Sequence, residues 1–135
     1  MVSDEALIEM ALSARESAYA PYSGFRVGAA LLCTDGTVVT GCNVESAAYA
    51  PTICAERTAF VKAVSEGKRE FVTIAVVGGK DDAPDAFCFP CGVCRQVMAE
   101  FCGENFRVLT TKNDETAART LNELLPDRFG AADLR

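Results

Sequence analysis

The chain has 135 residues, 19 acidic against 13 basic for a net charge of −6, half of its residues apolar, seven cysteines and no histidine. That length suits one ordinary domain with its own core, here taken as residues 1–135, and no run approaches the ~18 apolar residues of a membrane span. The acidic balance and scattered basic residues argue against a nucleic-acid groove, and the missing histidine excludes Ser-His and Cys-His pairs and every zinc site built on His.

The acidic start Ser3-Asp4-Glu5 does not read as a signal peptide, so the expectation is a cytoplasmic protein. In that reducing setting an odd set of thiols points to metal ligands, reactive groups or core residues rather than a disulfide framework. Ser3 as N-cap with Leu7, Met10, Ala11 and Ala14 at helical spacing predicts a helix over residues 4–18, ended by Ala20-Pro21-Tyr22-Ser23-Gly24. Val27 to Cys33 and Thr37 to Val44 flank Thr34-Asp35-Gly36 and predict an antiparallel hairpin.

A second helix is predicted over residues 52–66, capped by Thr52, burying Ala59, Phe60, Ala63 and Val64 and ended by Gly67. Phe71 to Val77 is a near-continuous apolar run that suits a central strand covered on both faces. Gly78 to Asp85 reads as a loop, Pro90-Cys91-Gly92 opens a third helix to about Phe101, and Phe106–Thr111 with Ala117–Leu121 form a second hairpin around Asn113-Asp114. The order α-ββ-α-β-α-ββ predicts an α/β fold, a three-layer α/β/α domain on a five-stranded mixed sheet.

Cys91-Gly92-Val93-Cys94 places two thiols in the first turn of one helix, and Cys54-Ala55-Glu56 places a third thiol and a carboxylate at the start of another. Three thiolates with one open position is the pattern of a catalytic zinc, whereas a structural zinc closes its fourth position with protein. If both helices lie on one face of the sheet, their N-termini meet, and their partial positive charges help the thiols ionise. Three thiolates leave the metal site negative, so Arg57 is expected to drain charge from the sulfurs. Glu56 is expected to carry the proton that histidine would otherwise carry.

Cys54-Ala55-Glu56 with Pro90-Cys91-Gly92-Val93-Cys94-Arg95-Gln96 resembles the signature of the zinc nucleoside deaminases. The likeness extends through Pro21-Tyr22-Ser23, Phe25, Val27-Gly28-Ala29-Ala30, Gly41, Asn43, Glu45, Tyr49, Thr52, Leu124-Leu125-Pro126 and Phe129, and is to the small homotetrameric cytidine deaminases of the cytidine/deoxycytidylate deaminase family. It implies hydrolytic deamination of cytidine and deoxycytidine in pyrimidine salvage, with zinc on Cys54, Cys91 and Cys94 and Glu56 as the catalytic carboxylate. It further implies that Phe25, Asn43, Glu45, Ala55 and Phe129 bind substrate: Phe25 packs on the pyrimidine, Asn43 and Glu45 hold sugar hydroxyls, and a neighbouring subunit supplies Phe129. Tyr49 is implied at a subunit contact. Ser46 and Ala50-Pro51 depart from the family's usual Asn and Gly-Leu.

Three other functions compete with this one: a deaminase of a nucleoside antibiotic of the blasticidin S type, a structural zinc module for protein interaction, and a Cys-x-x-Cys thiol oxidoreductase. The remaining thiols, Cys33, Cys42 and Cys102, read as packing residues. Cys88, three residues before Cys91, is a packing residue or a fourth thiolate on the metal.

Overall fold

The computed structural model describes residues 1–80 and 84–135. Helix α1 (Asp4–Ala14) begins at Ser3, whose hydroxyl accepts from Ala6 N–H, and tightens into a 3-10 turn over Arg15–Ser17. It buries Leu7 and Ala11, but Met10, expected on the same stripe, is exposed. Strands β1 (Arg26–Cys33) and β2 (Val38–Cys42) form the first antiparallel hairpin. Strand β2 is shorter than its apolar run: Val44 leaves the ladder and instead bridges Tyr19 and Ile53.

Helix α2 (Ala55–Ser65) is followed by β3 (Phe71–Gly79), α3 (Gly92–Phe101), β4 (Arg107–Lys112), β5 (Glu115–Thr120) and the single turn α4 (Leu121–Leu124). Several boundaries differ from the sequence expectation. Cys54, not Thr52, is the N-cap of α2, and the Thr52 hydroxyl accepts from Ser46 N–H instead. Gly78 and Gly79 belong to β3, because β1 extends to Arg26 and pairs with them, so the expected loop begins later; its residues 81–83 lie outside the described residues. Helix α3 begins as expected within Pro90-Cys91-Gly92, with Cys91 as its N-cap. Leu121 begins α4, whose capping box pairs Thr120 with Glu123.

The sheet order is β2-β1-β3-β4-β5, with β3 and β4 parallel and every other neighbouring pair antiparallel. Alternation along the strands builds two cores. Ala29, Leu31, Ile74, Val76 and Val108 face α2 and α3, together with Ala59, Phe60 and Met98. Ala30, Leu32, Ala75, Val77 and Leu109 face Leu7 and Ala11 of α1. Helices α2 and α3 therefore share one face of the sheet, as their sequence spacing implied. Phe60 locks the far ends of that layer, its ring 5.1 Å from Phe71, 6.1 Å from Phe106 and 6.3 Å from Phe101.

Two glycines set how closely the helices approach the sheet. A Cβ on Gly28 would fall 2.0 Å from the Ala11 carbonyl oxygen, so α1 rests directly on the β1 backbone. A Cβ on Gly41 would fall 2.6 Å from Ala55 O and from Ala59 N, so the first turn of α2 rests directly on β2. The second contact fixes the end of α2 that carries Cys54 and Glu56.

Candidate metal centre and active site

Cys54 and Cys91 occupy the same position on two helices: each is the N-cap residue, with extended backbone and no side-chain cap bond, so neither thiol is spent on capping its own helix. The loop before Cys54 is pinned by reciprocal hydrogen bonds between Val44 and Ile53, both 3.0 Å. The segment before Cys91 is pinned by Arg95, which donates from Nε to Pro90 O and from Nη1 to Leu124 O, both at 2.7 Å. These supports bring Cys54 Sγ within 3.8 Å of Cys91 Sγ, and Cys91 Sγ within 3.4 Å of Cys94 Sγ.

All three sulfurs lie within 4.8 Å of one another. Sulfurs bound tetrahedrally at about 2.3 Å from zinc stand roughly 3.8 Å apart, so the donor set and spacing fit that ion. Among the described residues no fourth His, Cys, Asp or Glu joins the group. Cys88 stands outside it: its N–H donates to Thr110 Oγ1 at 2.9 Å, its sulfur packs over Gly78, and burial pushes its thiol up to about 12. Among the described residues the metal-type cluster therefore holds three thiols, and Cys88 is not one of them. Cys33, Cys88 and Cys102 all pack with the core cluster under α2 and α3.

The electrostatics favour a first thiolate at Cys54. Its pKa is lowered to about 5, chiefly by a hydrogen bond from Cys94 and, against the cost of burial, by Arg57, whose Nη2 donates to Cys54 Sγ at 3.6 Å. Cys94 is shifted upward, because the bond it gives to Cys54 and its own burial both favour its protonated form. Arg57 is held more firmly charged by the same sulfurs, while its buried Nε has no hydrogen-bond partner among the described residues. Glu56 is only 4% exposed, and its carboxyl is raised to about 7, mainly by burial, with the Cys54 charge adding to the effect.

A cavity of about 240 Å³ opens on this cluster, lined on the polar side by Ser23, Asn43, Glu45, Thr52, Glu56, Cys54 and Cys91. Phe25, Val27, Ile53, Cys88 and Phe89 supply its apolar wall. Phe25, Asn43, Glu45, Glu56 and two of the thiols are thus brought together as expected. Ala55 is fully buried as the first residue of α2 and does not line the cavity; nor does Phe129, which is 58% exposed with its carbonyl accepting from Gln96 Nε2 at 2.8 Å. Tyr49, at positive φ and 76% exposed, lines an adjoining cleft with Tyr22, Ser23, Glu45, Ser46 and Thr52.

Asn43 and Glu45 have a role in this chain that their residue types did not disclose. The Asn43 amide brackets the start of β1, accepting from Val27 N–H and donating to Phe25 O, each at 2.8 Å. The Glu45 carboxylate accepts from Tyr22 N–H at 3.0 Å, Ser23 N–H at 3.1 Å and the Ser23 hydroxyl, which hold its pKa below the ordinary value. The Ser23 hydroxyl in turn accepts from Phe25 N–H at 2.9 Å. Both side chains therefore clamp the 22–25 turn that presents Phe25, and each keeps lone pairs or a hydrogen for a ligand. Ile53 and Phe89 are lining residues that sequence reading missed; the signal for Phe89 was its position beside Pro90-Cys91.

The family described as "Cytidine and deoxycytidylate deaminase zinc-binding region" matches residues 1–110. A protein named cytidine deaminase from Halalkalibacterium halodurans is 52% identical over 130 residues, covering 95% of this chain and 95% of its own. Another from Sporosarcina psychrophila is 50% identical over 131 residues, 96% of this chain and 93% of its own. The crystal structure of cytidine deaminase from Burkholderia pseudomallei superposes with a TM-score of 0.88 at 47% identity, covering 95% of this chain and 100% of its own. The three-cysteine cluster, its neighbouring glutamate and these likenesses place the chain in the cytidine and deoxycytidylate deaminase family.

Proposed function

We propose that this protein hydrolyses the 4-amino group of cytidine and deoxycytidine, giving uridine or deoxyuridine and ammonia. The observation that carries this reading is the position of Glu56, a buried carboxyl that opens on the same cavity as Cys54 and Cys91. Zinc held by Cys54, Cys91 and Cys94 would supply Lewis acidity, making a nucleophile of water near neutral pH. Glu56 takes a proton from the attacking water and delivers it to ring nitrogen 3 as carbon 4 becomes tetrahedral. It then carries the second proton from the new hydroxyl to the amino group, and ammonia leaves.

Arg57 and the two helix N-termini offset the negative charge of the sulfurs. Phe25 packs on the pyrimidine, and Asn43 and Glu45 meet the sugar with the donor and acceptor capacity their backbone bonds leave free. Ala55 contributes through its backbone N–H, which as a first-turn donor of α2 has no partner within the helix. Phe129 completes the site of a neighbouring subunit in a homotetramer, with Tyr49 at the contact; the exposure of both aromatic rings supports this part. Light scattering on the active enzyme tests the assembly, and a monomer with full activity would refute it.

The chain acts as a single domain over residues 1–135, in the cytoplasm and in pyrimidine salvage. No helix among the described residues is long and apolar enough to cross a membrane. A chelator-sensitive loss of cytidine absorbance, with matching turnover of deoxycytidine, is the expected result. Faster turnover of blasticidin S than of cytidine in the same assay would favour the antibiotic deaminase instead, and no turnover of any of the three would overturn the proposal.

A further inference from the structure

We propose that Phe89 is a further aromatic contact for the pyrimidine ring, from the same chain as Phe25, and that Arg119 positions it; this rests on the deaminase function proposed above. Phe89 shares the candidate cavity with Phe25, Cys54, Glu56 and Cys91, and no sequence motif assigned it a role. The backbone on both sides of it is fixed. Before it, Cys88 N–H is bonded to Thr110 Oγ1 at 2.9 Å, and after it, Pro90 O is held by Arg95 Nε at 2.7 Å.

The ring is braced as well. Arg119 of β5 places its guanidinium carbon 5.5 Å from the Phe89 ring centroid, a cation–π distance, and the Phe87 ring lies 6.0 Å away at an interplanar angle of 48°. Yet Phe89 is not a core residue: it belongs to neither hydrophobic cluster, although its neighbour Cys88 packs against one of them. A half-buried phenylalanine, fixed in backbone and ring but turned to a cavity rather than a core, is a surface for a ligand.

The size of the cavity supports the same contact. Its volume of about 240 Å³ lies below the roughly 300–1,000 Å³ usual for small-molecule sites, so a ring that reaches Glu56 and the thiols has little freedom to avoid the walls. A flat heteroaromatic base offers a π-face to aromatic side chains whatever its hydrogen-bond pattern. Phe25 enters from the turn just before β1 and Phe89 from the segment leading into α3, so the two rings come from separate parts of the chain.

The test is steady-state kinetics on cytidine and deoxycytidine with zinc content measured for every variant. Phe89→Ala should raise KM about tenfold, by the same factor for both nucleosides, with kcat within about threefold and zinc still at one per chain. Phe89→Leu should lose part of that factor, and Arg119→Met should raise KM by about two- to threefold with zinc unchanged. An unchanged KM in Phe89→Ala would overturn the proposal. So would loss of zinc in both Phe89 variants, which would make the ring a prop for the Cys91 segment. A rise confined to one of the two nucleosides would assign the ring to the sugar and overturn the base contact. Absence of turnover by the parent enzyme would instead refute the proposed function, so the two failures are distinct.

Discussion

Arg57 donates from Nη2 to Cys54 Sγ at 3.6 Å, so the residue three positions into helix α2 returns its charge to the helix's own cap. A zinc on three thiolates carries a net negative charge, which weakens its pull on water; a fixed cation on one sulfur offsets this. Arg57→Ala should therefore keep zinc and lower kcat by about 10- to 100-fold. Metal analysis beside turnover checks it, and full activity in Arg57→Ala would remove this residue from the chemistry.

The three-thiolate assignment separates Cys88 from the other cysteines of the site. Cys54→Ser, Cys91→Ser and Cys94→Ser should each lose the metal, whereas Cys88→Ser should retain one zinc per chain. The number of sulfurs bound to each zinc, read by sulfur-edge spectroscopy, should be three of the chain's seven. A fourth sulfur on the metal, or zinc loss in Cys88→Ser, would contradict the geometry in which Cys88 packs over Gly78.

Gly41 couples the fold to the site. Because a Cβ there would stand 2.6 Å from two backbone atoms of α2, Gly41→Ala must push the helix off the sheet. Overpacking of this kind costs about 1–3 kcal/mol, and the displaced segment carries Cys54 and Glu56. A lower urea midpoint together with reduced zinc occupancy is expected. A variant with unchanged midpoint and metal content would show that the contact has slack.

At the opposite face of the sheet, Asp4 in the first turn of α1 takes a forked ion pair from Arg107 of β4, with contacts of 3.1 and 2.8 Å. The bond from Arg107 holds the Asp4 carboxyl below its ordinary 3.8. A depressed folded pKa means that this stabilisation is fully present above about pH 4 and is lost as pH falls through the lowered value. Both side chains are 43% exposed, so screening limits the pair to about 1 kcal/mol or less. Urea midpoints of the parent and Asp4→Asn should differ at pH 7 and converge as the pH falls through the lowered Asp4 value. A difference that persists unchanged into acid would show that charge is not its source.

Much of this architecture was legible in the sequence, and its gaps have identifiable causes. Asp35-Gly36 between apolar runs marked the first hairpin, and strand alternation from Ala29 to Cys33 and from Ile74 to Val77 matches the two cores. The thiol spacing located the metal cluster. Thr52 was favoured over Cys54 as the α2 cap because hydroxyls cap better than thiols, and only the tertiary role of Cys54 overrides that preference. Gly78-Gly79 read as loop because glycine is poor in strands, yet pairing with Arg26 and Val27 keeps both in β3. Turn α4 carried a visible Thr120-x-x-Glu123 box, but four residues give too short a pattern to register. Asn43 and Glu45 were recognisable as site residues, whereas their clamp on the Phe25 turn depends on loop geometry that spacing does not encode.

The most direct measurement concerns Glu56, whose buried carboxyl shares the cavity with the thiols. Glu56→Gln keeps the size and the hydrogen-bonding atoms but cannot carry the proton. It should purify with one zinc per chain and turn over cytidine about 10²- to 10⁴-fold more slowly than the parent. A zinc-loaded Glu56→Gln enzyme with parental kcat would contradict the proposed proton transfer outright.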